Sequence, residues 1–363
     1  MMRTVALMLE SDGPGGAERV VIELAEELRR RGIGVCPVGP GQGSGWLARQ
    51  LVSRGFEPEV FRLRSPLDPS CAFELRRTLK FRGVKAIHSH EFTMGVYGLV
   101  VARMLGVRHV ITMHGGRGYQ QAWRRRTALR WACRLSATVC VSRAAAEELE
   151  RSLGLDPGTV HVVGNGIRFT RGDRARGRQS MGLDSETLLI LAVGNLYPVK
   201  GHIHLLRALN QLVVSTQGLP WRAAIAGRGS EESGLRDFLS TSALTNRVAL
   251  LGYREDVPDL LAAADIYAMP SLSEGMPLAL IEAMFAGKPI VASLIGGIPE
   301  VVEPEREALL VPPANAQALA SAIGGLLGDP VRRAALACAA EARARKEFDV
   351  VGMADAYEQL YWG

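Results

Sequence analysis

Residues 266–289 read IYAMPSLSEGMPLALIEAMFAGKP, and this stretch organises the second half of the chain. The apolar run that ends at Pro270 predicts a buried strand. Leu278, Ile281 and Phe285 then recur at helical spacing, and Gly287 follows as a typical helix end. A strand, a short loop and a helix in this order are the repeating unit of an α/β fold with a parallel sheet.

The loop before this helix predicts an anion site. Ser271 or Ser273 can cap the helix, and Pro277 suits its first turn, because a missing N–H costs nothing there. Backbone N–H groups at the helix start can then face a ligand, and the helix dipole favours a phosphate. The groups expected to do so belong to Gly275, Met276 and Leu278.

Two carboxylates bracket the predicted anion site. Glu274 lies in the loop, and Glu282 lies about two turns further along the helix. A carboxylate beside a phosphate is unfavourable unless it accepts hydrogen bonds, and sugar hydroxyls are suitable donors. A nucleotide sugar requires this combination, but an ordinary capped helix with a solvated glutamate fits the residue types about as well.

The stretch resembles the donor-binding signature of glycosyltransferase family 4, a family of retaining, bacterial group 1 enzymes with the GT-B fold. The signature combines Glu-Gly-x-Pro, Glu-Ala-x, Gly-x-Pro and a later Gly-Gly-x-x-Glu, and all four occur in order between Glu274 and Glu300. The resemblance implies an α/β chain in which two Rossmann-like, doubly wound parallel-sheet domains face each other across a cleft. It also implies a nucleotide-diphosphate sugar as co-substrate and no metal or other cofactor.

The length agrees with two domains, because 363 residues are many for one core. We predict an N-terminal acceptor-binding domain at residues 1–167, a polar, charged linker at 168–185 and a donor-binding domain at 186–347. The resemblance implies that a last helix, 348–363, packs back on the N-terminal domain. Scattered cysteines and the lack of a signal-like or membrane-spanning apolar run favour a cytoplasmic protein.

Charge is uneven along the chain. Residues 1–167 carry 24 Lys and Arg against 15 Asp and Glu, and the remainder carries 19 against 22. We expect the basic half to meet an anionic membrane surface or a lipid diphosphate rather than a nucleic acid, since no nucleic-acid module occurs. The basic, tryptophan-containing helix expected at Trp123–Arg134 suits the inner face of the cytoplasmic membrane. A plain surface helix with solvated arginines is the alternative.

The N-terminal domain opens with a predicted strand, a glycine turn and a helix. Gly15 and Gly16 resemble the first loop of the family, which lies near the donor diphosphate and the acceptor. Glu18 follows in the predicted helix and is an acceptor-side candidate. A tight turn without a ligand is the alternative interpretation.

Three histidines lie at the ends of predicted strands, where open α/β sheets place ligands. Thr112-Met-His114 resembles the Thr-x-His of the family, whose histidine contacts the donor sugar. We therefore place His114 first, His90 second as an acceptor-side residue, and His88 third. Each of them is otherwise an ordinary packing or hydrogen-bonding histidine.

Further loops of the donor domain resemble the diphosphate and base contacts of the family. The family reads Gly-Arg-Leu and then Lys-Gly after its first strand; here Asn195 replaces the arginine, and Lys200 is retained. The resemblance thus implies a diphosphate site with one fixed charge fewer, for which Arg228 can compensate. The remaining donor-side candidates are Gly227, Tyr253 and Arg254.

These residues predict a retaining hexosyltransferase that uses a UDP- or GDP-sugar and a carbohydrate or lipid-linked acceptor of polysaccharide or cell-envelope synthesis. The candidate catalytic residues are His114, Glu274 and Lys200. Two alternatives are a sugar-nucleotide epimerase of the same fold and a weakened nucleotide-sugar-binding or scaffold protein. Asn195 and Arg168, which stand where the family has Arg and Asp, motivate the second alternative.

Overall fold

The computed structural model describes residues 3–40, 45–65, 68–115, 122–216 and 218–363. The chain divides into two compact units, Met1–Arg168 with Asp349–Gly363 and Phe169–Phe348. Each unit contains a parallel sheet whose strands alternate with helices along the chain. This confirms the predicted α/β fold class with two Rossmann-like sheets.

The first unit is a seven-stranded sheet over the described residues. Its strands are β1 Thr4–Leu9, β2 Gly34–Pro40, β3 Glu59–Phe61, β4 Ala86–His90, β5 Arg108–Met113, β6 Ala137–Cys140 and β7 His161–Val162. Its helices are α1 Gly16–Arg30, α2 Trp46–Ser53, α3 Pro69–Phe81, α4 Glu91–Leu105, α5 Trp123–Arg134, α6 Arg143–Leu153 and α15 Val350–Trp362. The strands pair in the order β3-β2-β1-β4-β5-β6-β7, so the direction of winding reverses between β1 and β4.

The second unit is a six-stranded sheet over the described residues. Its strands are β8 Leu188–Val193, β9 Trp221–Ala226, β10 Val248–Gly252, β11 Ile266–Met269, β12 Ile290–Ser293 and β13 Ala308–Val311. Its helices are α7 Arg174–Ser180, α8 His202–Ser215, α9 Glu232–Ser240, α10 Val257–Ala263, α11 Leu278–Phe285, α12 Ile298–Val301, α13 Ala316–Gly328 and α14 Pro330–Glu347. The order is β10-β9-β8-β11-β12-β13, and the winding reverses between β8 and β11.

These two reversals position the functional loops. In an open parallel sheet, ligands bind beyond the carboxyl ends of the strands at the point where the winding reverses. The central strands are buried on both faces and are therefore continuously apolar, as Val5–Leu9 illustrates. Polar residues that follow such strands consequently gather at one edge of each sheet.

Helix α15 belongs to the first unit. Arg31, at the end of α1, donates hydrogen bonds to Asp355 at 2.6 Å and to Glu358 at 2.7 Å. On its inner side Tyr357 and Tyr361 are 1% exposed. The two buried tyrosines and the ion pairs of Arg31 together hold α15 against the first unit.

The segment that the sequence predicts as a linker, 168–185, contains helix α7, which packs against α10. Gly172 and Gly177 allow this close approach, because a Cβ on either glycine would overlap the backbone of Pro258 or Asp259. Arg176 also pairs with the buried carboxylate of Asp259. The charge of Arg176 therefore helps to hold this segment against α10. Residues 169–185 of the segment belong to the second unit.

The sequence pattern did not indicate five of the elements: α2, α7, α9, α12 and β13. They contain four to nine residues, so each offers few positions at which a period can show. Helix α4 begins at Glu91, directly after the last residue of β4. Among the described helices, none combines the length and the apolar composition that crossing a lipid bilayer requires.

Candidate functional site

The second sheet brings the predicted donor-side loops together at its carboxyl edge. Gly194 follows β8, and its backbone N–H donates to the carbonyl of Ala226 at the end of β9. Gly227 has a φ of 156°, and a Cβ there would overlap the carbonyl oxygen of Gly194. A glycine at 227 therefore lets the loop after β9 lie directly against the loop after β8, where Asn195 is located.

Lys200 and Glu274 form an ion pair at this edge. The Lys200 Nζ lies 2.7 Å from Glu274 Oε1, and the side chain of Glu274 is only 7% exposed. Ser271 Oγ donates a hydrogen bond to the same carboxylate oxygen at 2.7 Å. Gly201 has a φ of 63°, and a Cβ there would overlap the carbonyl oxygen of Pro270, so the lysine turn packs on the end of β11. The geometry places one cation and one desolvated anion at the point where the winding reverses.

The predicted capping of α11 by Ser271 or Ser273 is wrong. Pro277 is the N-cap residue, with an extended backbone, and its carbonyl accepts the N–H groups of Leu280 and Ile281. Ser271 binds Glu274 instead. The helix thus begins at Leu278, and the candidate residues Gly275 and Met276 lie in the preceding loop.

A glycine pair supports the Glu274 loop from the neighbouring strand. Gly297 N–H donates to the carbonyl of Glu274 at 3.2 Å. Gly296 has a φ of 50°, and a Cβ there would overlap the same carbonyl oxygen. A glycine at 296 is therefore required for the backbone to lie this close to Glu274.

Glu282 lies on α11 and is 6% exposed. Burial raises the pKa of Tyr267 on β11 well above its usual value. The charges of Glu282 and then of Glu274 raise this pKa further. The Tyr267 hydroxyl lies 3.4 Å from the carbonyl of Val193. The two glutamates thus both lie close enough to β11 for their charges to act on Tyr267.

The arginines of the outer loops already have partners. The guanidinium of Arg228 lies over the ring of Tyr253, 4.9 Å from its centroid. Arg254 donates to Asp256 at 2.7 Å and to Ser180 at 3.0 Å, and this ion pair lowers the pKa of Asp256. Arg228 and Tyr253 therefore form one stacked group beside the site, whereas Arg254 stabilises its own loop.

His202, which sequence reasoning missed, also lies at this edge. It is the first residue of α8, it is 5% exposed, and burial lowers its pKa to about 4. The backbone of Gly194 and Asn195 acts on it in the opposite direction. A histidine directly after Lys200-Gly201, at a helix start, was the signal that could have identified it.

The first sheet gathers the acceptor-side candidates at its own carboxyl edge. Gly15 is the N-cap of α1, and a Cβ there would overlap the carboxylate of Glu18. Glu18, in the first turn of α1 after Gly16, is 5% exposed. The glycine turn consequently makes room for a buried carboxylate.

His90 and His114 are in contact. The Nδ1 atom of His90 lies 2.8 Å from the Nε2 atom of His114, and the two rings are nearly parallel. Burial lowers the pKa of His114 to about 4 and holds that of His90 well below its usual value. Both imidazoles are therefore neutral at pH 7, and His114 is a neutral hydrogen-bonding group.

His88 forms its hydrogen bonds with α15 and with β5. Its Nδ1 lies 2.6 Å from the hydroxyl of Tyr361, and its Nε2 lies 2.8 Å from Thr112 Oγ1. Thr112 in turn lies 2.9 Å from the hydroxyl of Tyr357. His88 is thus an internal member of a buried polar network that joins α15 to β4 and β5.

Glu91 is a second residue that the sequence did not identify. Its side chain accepts the backbone N–H of His114 at 3.1 Å, and burial raises its pKa to about 7. It is one of the few non-glycine residues with a left-handed backbone, at φ 66°. A glutamate directly after a predicted strand-end histidine was the only signal in the sequence.

Helix α5 has the predicted bounds and exposes most of its basic and aromatic residues. Trp123 is 72% exposed and Trp131 is 46% exposed, whereas Leu129 is buried. Leu129 therefore faces the core, and the tryptophans do not share its side of the helix. The solvent-facing surface carries Arg124, Arg125, Arg126 and Arg134 together with the two tryptophans.

Two family models match the chain. The model described as Glycosyltransferase Family 4 matches residues 14–171, and the model described as Glycosyl transferases group 1 matches residues 187–329. The first match lies in the first unit except for its last three residues, and the second lies in the second unit.

Relatives match over most of the chain. The D-inositol 3-phosphate glycosyltransferase of Mycobacteroides abscessus is 30% identical, over 86% of this chain and 77% of its own. The UDP-Gal:alpha-D-GlcNAc-diphosphoundecaprenol alpha-1,3-galactosyltransferase of Escherichia coli is 27% identical, over 67% of this chain and 66% of its own. The crystal structure of HepE from Anabaena in complex with UDP-glucose has a TM-score of 0.84 and 25% identity, and the match covers 98% of both chains.

Proposed function

This chain belongs to glycosyltransferase family 4 and is a nucleotide-sugar glycosyltransferase of the GT-B type, and we propose that it transfers a hexose from a UDP-sugar with retention of anomeric configuration. The observation that supports this most is the ion pair of Lys200 with the buried Glu274, close to Glu282, where the winding of the second sheet reverses. HepE is complexed with UDP-glucose and the Escherichia coli relative is named for UDP-Gal, which favours uridine as the base.

Lys200 and Glu274 are proposed to part when the donor binds. Lys200 then lies against the diphosphate, where a preorganised cation stabilises the negative charge that develops on the leaving group. Glu274, released from the lysine, accepts a hydrogen bond from a sugar hydroxyl. The ion pair therefore keeps a desolvated carboxylate satisfied until its ligand arrives.

The remaining donor contacts follow from the same edge. Glu282 is proposed to accept the ribose hydroxyls, and the N–H groups at Gly275, Met276 and Leu278 to face the diphosphate. His114 of the first unit is proposed to contact a hydroxyl of the sugar as a neutral imidazole. No metal ion is required in this scheme.

The proposed reaction occurs on one face of the sugar. The bond from C1 to the diphosphate oxygen breaks, and a bond from C1 to the acceptor oxygen forms on the face that the diphosphate leaves. The acceptor proton passes to the departing phosphate oxygen. The scheme therefore uses no protein nucleophile, and it retains the configuration at C1.

The acceptor is proposed to carry a lipid diphosphate or to belong to a surface polysaccharide. Residues 1–167 have an excess of basic over acidic side chains, and α5 exposes arginines beside tryptophans. An anionic membrane attracts such a helix, and tryptophan suits the membrane interface. The diphosphoundecaprenol acceptor in the name of the Escherichia coli relative supports the same class.

Thermal unfolding tests the donor assignment. UDP, GDP, ADP and their hexose derivatives are added to the wild type, to Glu282→Ala and to Glu232→Ala, whose half-buried carboxylate lies on α9 and pairs with Arg236. A ligand at 100 times its Kd stabilises the wild type by about 2.7 kcal/mol. We expect the uridine series to stabilise the wild type and Glu232→Ala but not Glu282→Ala; a guanosine-only response would overturn the base, and no response would contradict the function.

Sedimentation with vesicles tests the membrane proposal. Wild type and a variant with Arg124, Arg125 and Arg126 changed to Glu are mixed at low salt with vesicles that contain anionic phospholipid. We expect the wild type to sediment with them and the variant to stay in solution. Sedimentation of neither protein, or of both equally, would contradict membrane binding through α5.

A further inference from the structure

Glu91 adopts a backbone conformation that its residue type avoids. Its φ is 66°, and it is the first residue of α4. Residues with a Cβ adopt this left-handed conformation only where the surrounding structure enforces it, and such positions are concentrated at functional sites. The strain lies directly after His90, the residue that contacts His114.

The Glu91 carboxylate does not cap its own helix. The backbone N–H of Thr93, in the first turn of α4, donates instead to Glu10 Oε2 at 3.1 Å. Glu91 Oε1 accepts the backbone N–H of His114, which follows the neighbouring strand β5. Because Glu10 already serves the helix terminus, the contact with His114 is the interaction that distinguishes Glu91.

Two consecutive residues therefore hold His114. Glu91 bonds its main chain at 3.1 Å, and His90 bonds its ring at 2.8 Å. We propose that Glu91 is a positioning residue, which fixes the main chain of His114 so that its ring keeps one orientation during sugar transfer. This inference rests on the proposed function, in which His114 contacts the donor sugar.

The strength of the Glu91 bond depends on ionisation. Burial raises the pKa of Glu91 to about 7; the His114 N–H opposes this, and the charges of Glu10 and Glu18 add to it. An ionised carboxylate accepts a stronger hydrogen bond than a neutral carboxyl group. The hold on His114 therefore weakens as the pH falls through about 7. The other titratable groups nearby are uncharged at pH 7, because burial lowers the pKa of the imidazoles and raises that of the thiol: His88, His90, His114 and Cys140.

Nuclear magnetic resonance tests the contact without any substrate. The full chain is labelled with ¹⁵N only at its seven histidines, and the His114 amide signal is assigned from a His114→Asn variant. We expect this signal to shift with a midpoint near pH 7 in the wild type and in Glu74→Gln, an exposed carboxylate on α3. In Glu91→Gln, which keeps an acceptor oxygen but cannot ionise, the signal should stay constant from pH 6 to 8. A wild-type signal that does not move, or one that moves equally in Glu91→Gln, overturns the proposal.

Kinetics test whether the contact matters for transfer. With the UDP-hexose that stabilises the protein most, Glu91→Ala should lower kcat at least tenfold at pH 8 and leave the Kd for UDP unchanged, because UDP lacks the hexose that His114 is proposed to contact. In the wild type, kcat should fall between pH 8 and pH 6 as Glu91 becomes protonated. Glu91→Gln should keep most of the wild-type kcat at pH 8 and should not show this fall. Combined with His114→Ala, Glu91→Ala should not lower kcat any further; additive losses of kcat would overturn the proposal.

If the wild type neither binds UDP nor turns over a UDP-hexose, the proposed function fails, whereas the amide titration still decides whether Glu91 holds His114.

Discussion

The two sheets place their candidate residues at the same topological position, but the side chains there differ in charge. At the edge of the second sheet, a lysine and a buried glutamate form an ion pair 2.7 Å apart. At the edge of the first sheet, His90 and His114 are neutral, and Glu91 has a pKa of about 7. In the proposed function, the charged edge of the second sheet binds a diphosphate, and the histidine edge of the first sheet contacts hydroxyl groups. In that function one fold supports two kinds of recognition, which differ in the side chains that follow the strands.

Lys200→Ala should have the largest effect, because it removes the cation of the charged edge and leaves Glu274 buried without it. We expect kcat/KM for the UDP-hexose to fall about 10²- to 10³-fold, the range seen when one preorganised group on a leaving anion is lost. Steady-state kinetics with Lys346→Ala, an exposed lysine of the same unit, as the control will measure this. A loss of less than tenfold would show that the lysine does not contact the diphosphate.

Acid should destabilise the first unit through the buried histidines at the edge of its sheet. An imidazole with a pKa lowered from 6.5 to about 4, as in His114, contributes stability above pH 6.5 that is lost as the pH falls towards 4. Glu91 acts in the opposite direction, since its raised pKa costs stability as the pH rises from 4.5 to about 7. The pKa values of His88 and His90 are also lowered. The three histidines together therefore affect stability more than the single glutamate does.

We therefore expect the free energy of unfolding to fall by at least about 2 kcal/mol between pH 7.5 and pH 5. Urea unfolding at both pH values will measure it. His114→Asn should reduce the difference, whereas the exposed His161→Asn should leave it unchanged. A free energy that rises on acidification would mean that the carboxylate dominates.

His114→Ala should have a smaller effect than Lys200→Ala, because a neutral hydrogen bond to a sugar hydroxyl is weaker than a charge on a phosphate. We expect kcat/KM to fall about 10- to 50-fold, with the Kd for UDP unchanged. Isothermal titration with UDP and kinetics with the UDP-hexose separate the two quantities. If UDP binding weakens as much as transfer, His114 acts on the nucleotide rather than on the sugar.

Tyr361→Phe should have the smallest effect. It removes the hydroxyl that bonds His88 Nδ1 and leaves that buried nitrogen without its partner. Such a loss costs about 1–3 kcal/mol in the free energy of unfolding. Urea unfolding will measure it, with Tyr197→Phe, at an exposed tyrosine, as the control. Equal stability of the two variants would show that the bond contributes nothing.

The fold was predictable because the strands are continuous apolar runs that end at polar or glycine residues. Helix α5 has the predicted bounds, and β11 lies in the apolar run that ends at Pro270. The charged segment at 168–185 misled the prediction, since polarity and glycine also mark linkers. Only the tertiary contact of Gly172 and Gly177 with α10 shows that the segment is docked.

The candidate site was predictable in one unit more than in the other. Glu274 and Glu282 lie on one continuous stretch, so their proximity to a helix start follows from local structure. Glu91, the first residue of α4, contacts His114 after the neighbouring strand β5 and has a left-handed backbone, and neither feature is encoded in the residue types nearby. His202 was missed because burial, which holds it neutral, depends on the packing of α8.

Helix α15 has a consequence for the synthesis of the protein on the ribosome. The second unit is one uninterrupted segment, and all of it has been translated before residue 349 is added. The first unit, although it is begun earlier, still lacks the tyrosines that satisfy His88 and Thr112 in its interior. The first unit therefore cannot complete its interior until α15 has been made, although its strands are the first to be translated.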